Sequence, residues 1–360
     1  TTGLIGKWHL GDWTLDPTRQ FHPTNQGFHY FMGLTGGGTT PDNPMLELDG
    51  EERQFEGLTT DILTDHAIRF IEANSEGPFL LCLHYRAPHS RWLPVADEDW
   101  APFKDLDPQI PNPDYPDLNV KRVKNMTREY LASVASVDRN VGRLLQALKQ
   151  KQLDQNTIII YSSDHGYNMG HNGIWHKGNG HWVLNKNPKP TPNIPAGQRP
   201  NLYDNSLKIP TAVLWPGVTQ PNRVVTQTVS NLDWFPTLLE MAQVSRPDNL
   251  TIRGRSIVPL LKQESQTEWD NDFYAEYSTR HQSKTHMRMY RTPEWKLIRD
   301  FLNPDRDELY HLTKDPEEAN NLIHSQDPHV IKIRNQLHQK ILSQMKSIDD
   351  KVLQQVEQGS

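Results

Sequence analysis

Hydrophobic residues along the chain fall into short runs separated by long polar, proline-punctuated stretches. Leu58 to Ala73 carries Ile62, Ala67, Ile68 and Ile71 near helical spacing and predicts an amphipathic helix. Met126 to Gln150, with Leu131, Val134, Val137, Val141 and Leu144–Leu145, predicts a longer one. Nearly continuous apolar runs at Pro78–Tyr85 and Thr157–Ser162 predict buried strands, and Gly3–Leu10 and Ile209–Trp215 are further strand candidates. Leu232 to Ala242 predicts a helix, with Asp233 able to cap its start. This alternation predicts a largely parallel sheet covered by helices on both faces. After about residue 268 the rhythm changes. Phe273–Tyr277, Thr285–Arg291 and Trp295–Asp300 read as short antiparallel strands, Glu308–His311 as a further candidate, and Val330 to Val352 as a polar terminal helix. The expected organisation is an α/β body over 1–268 and a smaller α+β subdomain over 269–360, with loops at 93–119 and 183–201.

Composition narrows this little but excludes several classes. Only 35% of the 360 residues are hydrophobic and 27 are Pro, yet 10 Trp, 11 Tyr and 10 Phe spread along the chain argue against disorder. No apolar run approaches the roughly 18 to 20 residues that span a bilayer, and a net charge of −6 gives no basic footprint for nucleic acid. One cysteine, Cys82, excludes an intramolecular disulfide framework and leaves the redox compartment open. The opening Thr1-Thr2-Gly3-Leu4-Ile5-Gly6 carries no signal peptide and reads as internal to a longer reading frame, which says nothing against export.

Candidate chemistry concentrates at strand ends. On an extended segment Gly3–Gly11, Lys7 and His9 point to one side and Trp8 to the other. A cation beside an imidazole is a good cradle for a tetrahedral oxyanion, although a lone Lys-x-His is more often a surface Lys and a core-edge His. The strand at 79–85 runs into Ala87-Pro88-His89, placing His89 where open α/β sheets put their ligands. Arg86 and Arg91 flank it and face either an anionic substrate or solvent. The strand at 157–162 runs into Asp164-His165-Gly166, where a carboxylate could ligate a metal or simply cap a turn. Then come His171, Trp175, His176, Lys177, His181 and Trp182. A zinc site built from these histidines and Asp164 is disfavoured, because a spacing of five suits neither a helix nor a strand. The histidines and tryptophans either line a substrate mouth or pack in a polar loop. Gly36-Gly37-Gly38 lacks a following Lys-Ser/Thr and is a loop, not a phosphate-binding P-loop.

Taken together, these strings resemble the type I, formylglycine-dependent sulfatases of the alkaline-phosphatase-like superfamily. Thr1-Thr2-Gly3 followed by Gly6-Lys7-Trp8-His9-Leu10-Gly11 looks like that family's second signature. Ala87-Pro88-His89, Ser162-Ser163-Asp164-His165-Gly166, Lys177, Leu202–Pro210, Leu214-Trp215-Pro216-Gly217, Ser230–Leu238, Trp295–Ile298 and Glu308–Pro316 follow in the family's order. The resemblance implies an alkaline-phosphatase-like fold and sulfate-ester hydrolysis. In that chemistry Lys7 and Lys177 would neutralise sulfate oxygens, and His89 would protonate the leaving alcohol. His9 would hydrogen-bond the formylglycine hydrate that attacks sulfur. Arg86, Arg91, Trp175 and His176 are the substrate-binding candidates, with Trp92 and Trp182 further rings for a sugar. Asp164 and His165 would hold one divalent cation, expected to be Ca²⁺, although His165 stands where many members have Asn and leaves room for a transition metal.

The family's Cys/Ser-x-Pro-x-Arg motif, whose first residue becomes formylglycine, does not occur in the chain. Cys82 and Arg86 have the spacing, but Leu83-His84-Tyr85 between them contains no Pro. The early pair of Asp ligands is missing too. The expectation is therefore an inactive piece of a sulfatase whose full-length parent is periplasmic or extracellular and acts on a sulfated saccharide. Alternatives are a phosphonate or phosphodiester hydrolase of the same superfamily, and a non-catalytic sulfated-glycan-binding protein.

Overall fold

The computed structural model describes residues 1–11, 18–264 and 268–358, which form two compact units. The first comprises residues 1–109 and 121–157, the second residues 110–120 and 158–360.

In the first unit the strands are β1 (Thr2–Lys7), β2 (Tyr30–Leu34), β3 (Met45–Leu48), β4 (Glu51–Gln54) and β5 (Leu80–His84). They form one sheet in the order β4-β3-β2-β1-β5. The central strand β1 runs parallel to both neighbours, and the β2–β3 and β3–β4 ladders are antiparallel. Helix α1 (Thr59–Ala73) lays Leu63, Ala67 and Phe70 onto Ile5, Met32 and Leu46. Those helix positions are spaced by four and three, so they share one face. Two further helices are α2 (Asp97–Trp100) and α3 (Val120–Gln150), which starts six residues before the apolar pattern does. Arg139 of α3 bonds both Asp61 of α1 and Asp99 of α2, tying three elements together. The sequence expectation of a buried strand at 78–85 is only half met. Among the described residues β5 is the sheet's edge, paired only with β1, and Leu80 stays 48% exposed.

In the second unit β6 (Ile159–Tyr161) pairs antiparallel with β10 (Ala212–Leu214). Among the described residues, parallel ladders are thus confined to β1 and its two neighbours. A small meander of β7 (Asn168–Met169), β8 (Ile174–His176) and β9 (His181–Trp182) is followed by α4 (Asp204–Leu207). Helices α5 (Trp234–Met241) and α6 (Val258–Leu261) come next. The turn entering α5 is capped by Ser230, not by Asp233; Asp233 instead accepts from the Ser230 amide and completes a capping box.

The last four strands are β11 (Phe273–Arg280), β12 (Lys284–Arg291), β13 (Trp295–Asp300) and β14 (Glu308–His311), in that order across an antiparallel sheet. Alternation along β12, β13 and β14 sorts their side chains onto two covered faces. Tyr290, Leu297 and Leu309 pack under α7 (Pro328–Ser347) with Leu337, Ile341 and Met345. Met289, Ile298 and Tyr310 pack against Ile174, Leu202 and Tyr203. The break in rhythm near 268 therefore separates strand types, while packing joins this sheet to residues 174–203. The terminal helix is two segments, α7 and α8 (Lys351–Gln358), separated where Asp349 takes φ +53.

Candidate active site

Two groups of candidate residues are assembled, one in each unit. In the first unit, parallel pairing of Gly6 with His84 brings the carboxyl ends of β1 and β5 to the same sheet edge. Lys7 is the last residue of β1, and His84 the last of β5. Gly6 has φ +106, and a Cβ there would lie 2.0 Å from the His84 carbonyl oxygen, so only glycine lets the strands close at this point. The His84 ring lies 3.0 Å from the Lys7 carbonyl through Nδ1, which donates.

Strand geometry stops at Lys7, and this corrects the alternation drawn from sequence. His9 adopts φ +50, so Lys7 and His9 are not successive same-side residues of one strand. Tertiary contacts set their placement instead. The amides of Trp8 and His9 donate to Leu34 and Thr35 carbonyls, and the Trp8 indole donates to Phe21. A Cβ on Gly37 would come within 2.9 Å of His9 Nε2, so the glycine loop after β2 seats the imidazole.

Beyond β5 the chain turns through Ala87-Pro88-His89. The His89 Nδ1–H donates to the Ser90 carbonyl at 2.7 Å, which leaves Nε2 as the atom that carries a transferable proton in the imidazolium. Arg86 is buried and donates to the Arg91 carbonyl at 2.8 Å, bracing the loop that holds His89. Arg91 is exposed. Trp92 is 6% exposed, donates to Pro88 and packs edge-on against Tyr130, a core role instead of a sugar platform.

In the second unit, the end of β6 delivers Asp164 and His165. Lys177 Nζ reaches His165 Nε2 at 2.8 Å, and Asp164 Oδ2 lies 3.3 Å from the same nitrogen. The His165 Nδ1–H donates to the Gly166 carbonyl, so Nε2 accepts from the ammonium. The peptide segment bearing Lys177 is held by a buried amide–hydroxyl chain. Asn201 Nδ2 donates to the Lys177 carbonyl (3.1 Å), while its Oδ1 accepts from Ser206 Oγ (2.7 Å) and the Tyr203 amide (3.2 Å). Asn168 Nδ2 donates to Ser206 Oγ and to the His176 carbonyl. All three side chains are buried.

His176 has φ +83 and its Nδ1 meets Asn179 Oδ1 at 2.8 Å. Its ring lies 5.4 Å from both Trp175 and His181, so these form an aromatic cluster at the β8–β9 hairpin. Burial depresses the His171 pKa to about 4, and its Nδ1 accepts from the Met169 amide, so it is a neutral packed imidazole at neutral pH.

Among the described residues, no three His, Cys, Asp or Glu side chains gather as a metal would require. Asp164 and His165 offer two donors at most, and His165 Nε2 is engaged by Lys177. These residues do not by themselves fit a divalent-cation site.

Two features were invisible in the motif strings. One is the Asn168–Ser206–Asn201 chain behind Lys177. The other is a buried ion cluster in which Lys296, fully buried, bonds Asp204 (2.9 Å) and Glu318 (2.7 Å). Asp204 also faces Lys208 and Arg291. Burial alone would raise the Asp204 pKa, but Lys296 and the neighbouring cations outweigh it and hold the carboxyl well below its usual range.

The family model described as Sulfatase matches residues 1–244, and the one described as N-sulphoglucosamine sulphohydrolase, C-terminal, matches residues 198–347. The chain is 30% identical over 288 residues to the "Uncharacterized sulfatase YdeN" of Escherichia coli K12, covering 74% of this chain and 46% of that protein. It is 25% identical over 404 residues to N-acetylglucosamine-6-O-sulfatase of Bacteroides thetaiotaomicron, covering 89% and 66%. It thus spans about half to two thirds of these relatives. The structure of BT4656 with D-glucosamine-2-N,6-O-disulfate superposes with a TM-score of 0.80 at 23% identity, over 98% of this chain and 80% of that one. The fold is therefore alkaline-phosphatase-like, with a mixed sheet and an antiparallel C-terminal sheet.

Proposed function

The chain belongs to the sulfatase family, and from that premise we propose that it carries the sulfate-contacting and proton-transferring half of a hydrolase for sulfated saccharides. The observation that carries this reading is the contact of Lys177 with His165 beside Asp164, because residues twelve positions apart converge at a strand end. An ammonium there neutralises charge on a sulfate oxygen, and Lys7 does the same from the end of β1. Such preorganised cations commonly contribute about 3 to 4 kcal/mol of transition-state stabilisation each. His89, with its Nδ1 proton committed to Ser90, donates from Nε2 to the departing alcohol oxygen. His9 assists at the nucleophile. Arg86 acts by holding the His89 loop, and Arg91, Trp175 and His176 meet the saccharide.

The family's chemistry needs a formylglycine and a divalent cation. No Cys or Ser in these 360 residues opens a Cys/Ser-x-Pro-x-Arg motif, so the nucleophile is assigned to residues outside them, with Asp164 and His165 as a part-site for the cation. The saccharide class is supported by relatives such as the Bacteroides N-acetylglucosamine-6-O-sulfatase. The test measures binding and turnover together on the 360-residue chain. N-acetylglucosamine 6-sulfate should bind, Lys7→Ala and Lys177→Ala should each weaken it, and no sulfate should be released. Sulfate release would overturn the assignment of the nucleophile. Unchanged affinity in both variants would overturn the roles of the lysines.

A further inference from the structure

The loop at 183–201, which the motif strings leave without a role, closes a cavity of about 300 Å³ against the segment 304–308. Three backbone hydrogen bonds hold that loop to the segment 178–182 that follows Lys177: Asn201 to Gly178, Arg199 to Gly180, and Trp182 to Gly197. Those bonds fix the C-terminal end of the loop wall beside Arg199, and the cavity's volume is at the small end for ligand sites, enough for a sugar ring.

Its chemistry is specific. Arg199 stands over the Trp182 ring at 5.8 Å and is paired with Glu308. Arg306 is different. Its Nη2 donates to the Pro200 carbonyl at 2.7 Å, but among the described residues no carboxylate pairs with it, and its buried Nη1 has no hydrogen-bond partner. Burial and the neighbouring Arg199 lower its pKa to about 10 against the opposing pull of the nearby Glu308 and Asp300. A guanidinium desolvated without a carboxylate in direct contact is costly, and the cost is relieved when an anion enters. Two acceptors in the same wall, Gln198 Oε1 and Glu308 Oε2, are buried without a donor. Hydroxyl groups of a ring would supply those donors.

We infer that this cavity is a binding subsite for an anionic sugar unit, with Arg306 taking its carboxylate or sulfate, Gln198 and Glu308 its hydroxyls, and Trp182 walling the ring. The choice of a sugar rests on the saccharide reading above; the anion requirement rests on Arg306. The subsite would let the protein hold a neighbouring acidic residue of a polymer.

The test titrates the chain by calorimetry with glucuronic acid, galactose 6-sulfate and neutral galactose. Both anionic sugars should bind and galactose should not. Arg306→Gln should weaken both by about ten-fold or more, the loss of a charge-assisted contact. Because Arg306 is partly buried, the exposed rim residue Asp305 gives an independent arm, and Asp305→Asn should tighten the anionic sugars about two-fold without altering the thermal midpoint. Equal binding of galactose and glucuronic acid, or indifference of glucuronic acid to both substitutions, would sink the inference. Since glucuronic acid carries no sulfate, that outcome leaves the Lys177→Ala result standing on its own, and the converse holds.

Discussion

Asn201→Ala is the sharpest test of how the chain holds Lys177. Asn201 is 1% exposed and makes bonds in both directions, donating to the Lys177 carbonyl at 3.1 Å and accepting from Ser206 Oγ at 2.7 Å and the Tyr203 amide at 3.2 Å. Truncation leaves the Tyr203 amide and the Lys177 carbonyl buried without this partner. Each stranded group costs about 1 to 3 kcal/mol, so a total of about 2 to 6 kcal/mol follows for the two. The small cavity left by the amide adds to this. A merely structural loss would appear only in stability. The positioning role adds a second signature, a weaker affinity for sulfated saccharide at temperatures where the variant is fully folded. Asn201→Asp keeps the acceptor for Ser206 but turns a buried carboxylate oxygen toward the Lys177 and Arg199 carbonyls, so it should recover neither the stability nor the affinity. The assays are urea unfolding and calorimetric titration of wild type and both variants. A loss below about 0.5 kcal/mol, or unchanged affinity in both variants, would refute the reasoning.

Three further outcomes follow from the same contacts. Gly37→Ala places a methyl within 2.9 Å of the His9 ring, so the His9 imidazole resonances should shift while the unfolding midpoint moves by about 1 to 3 kcal/mol at most; unchanged His9 signals would contradict the seating role. Lys296→Met strands Glu318 in the interior and leaves Asp204 to Lys208 and Arg291, and should cost about 3 to 5 kcal/mol by urea unfolding. Because Asp204 is depressed in the folded chain, its contribution is present above the unfolded carboxyl value near 4 and fades as pH falls toward the folded one; acid unfolding of Lys296→Met should show a smaller fall over that range, since Lys208 and Arg291 remain. His171, depressed by burial to about 4, is fully neutral in both states above its unfolded value near 6.5, and its stabilising difference is lost as pH falls from there through about 4. His171→Gln should flatten the slope of stability over that window, and an unaltered slope would count against a buried neutral imidazole.

Much of the chemistry lies in contiguous strings at strand ends. Gly6-Lys7-Trp8-His9 and Ala87-Pro88-His89 can be read without coordinates because the parallel strands β1 and β5 bring their ends to one sheet edge, and Asp164-His165 because it directly follows an apolar strand run. The sorting of β12, β13 and β14 into two buried faces is likewise legible, since alternation has a period of two. What the strings could not convey was anything that depends on who meets whom. The expected same-side pairing of Lys7 and His9 assumed that the strand continued, yet Lys7 ends β1 and contacts from the β2 loop turn His9 into a positive φ. Arg86 looked like an anion contact and is a buried brace.

The sequence by itself determined the family, the longer helices α1, α3 and α5 and the terminal antiparallel strands, because periodicity and short motifs are local properties of a chain. Only the tertiary structure decided how those motifs are held. Asn201 lies 24 residues from Lys177, and Lys296 lies 92 from Asp204, and no local pattern links either pair. Burial removes water as the alternative partner, so each polar group must find another along the chain, and chain distance sets no limit on where that partner comes from.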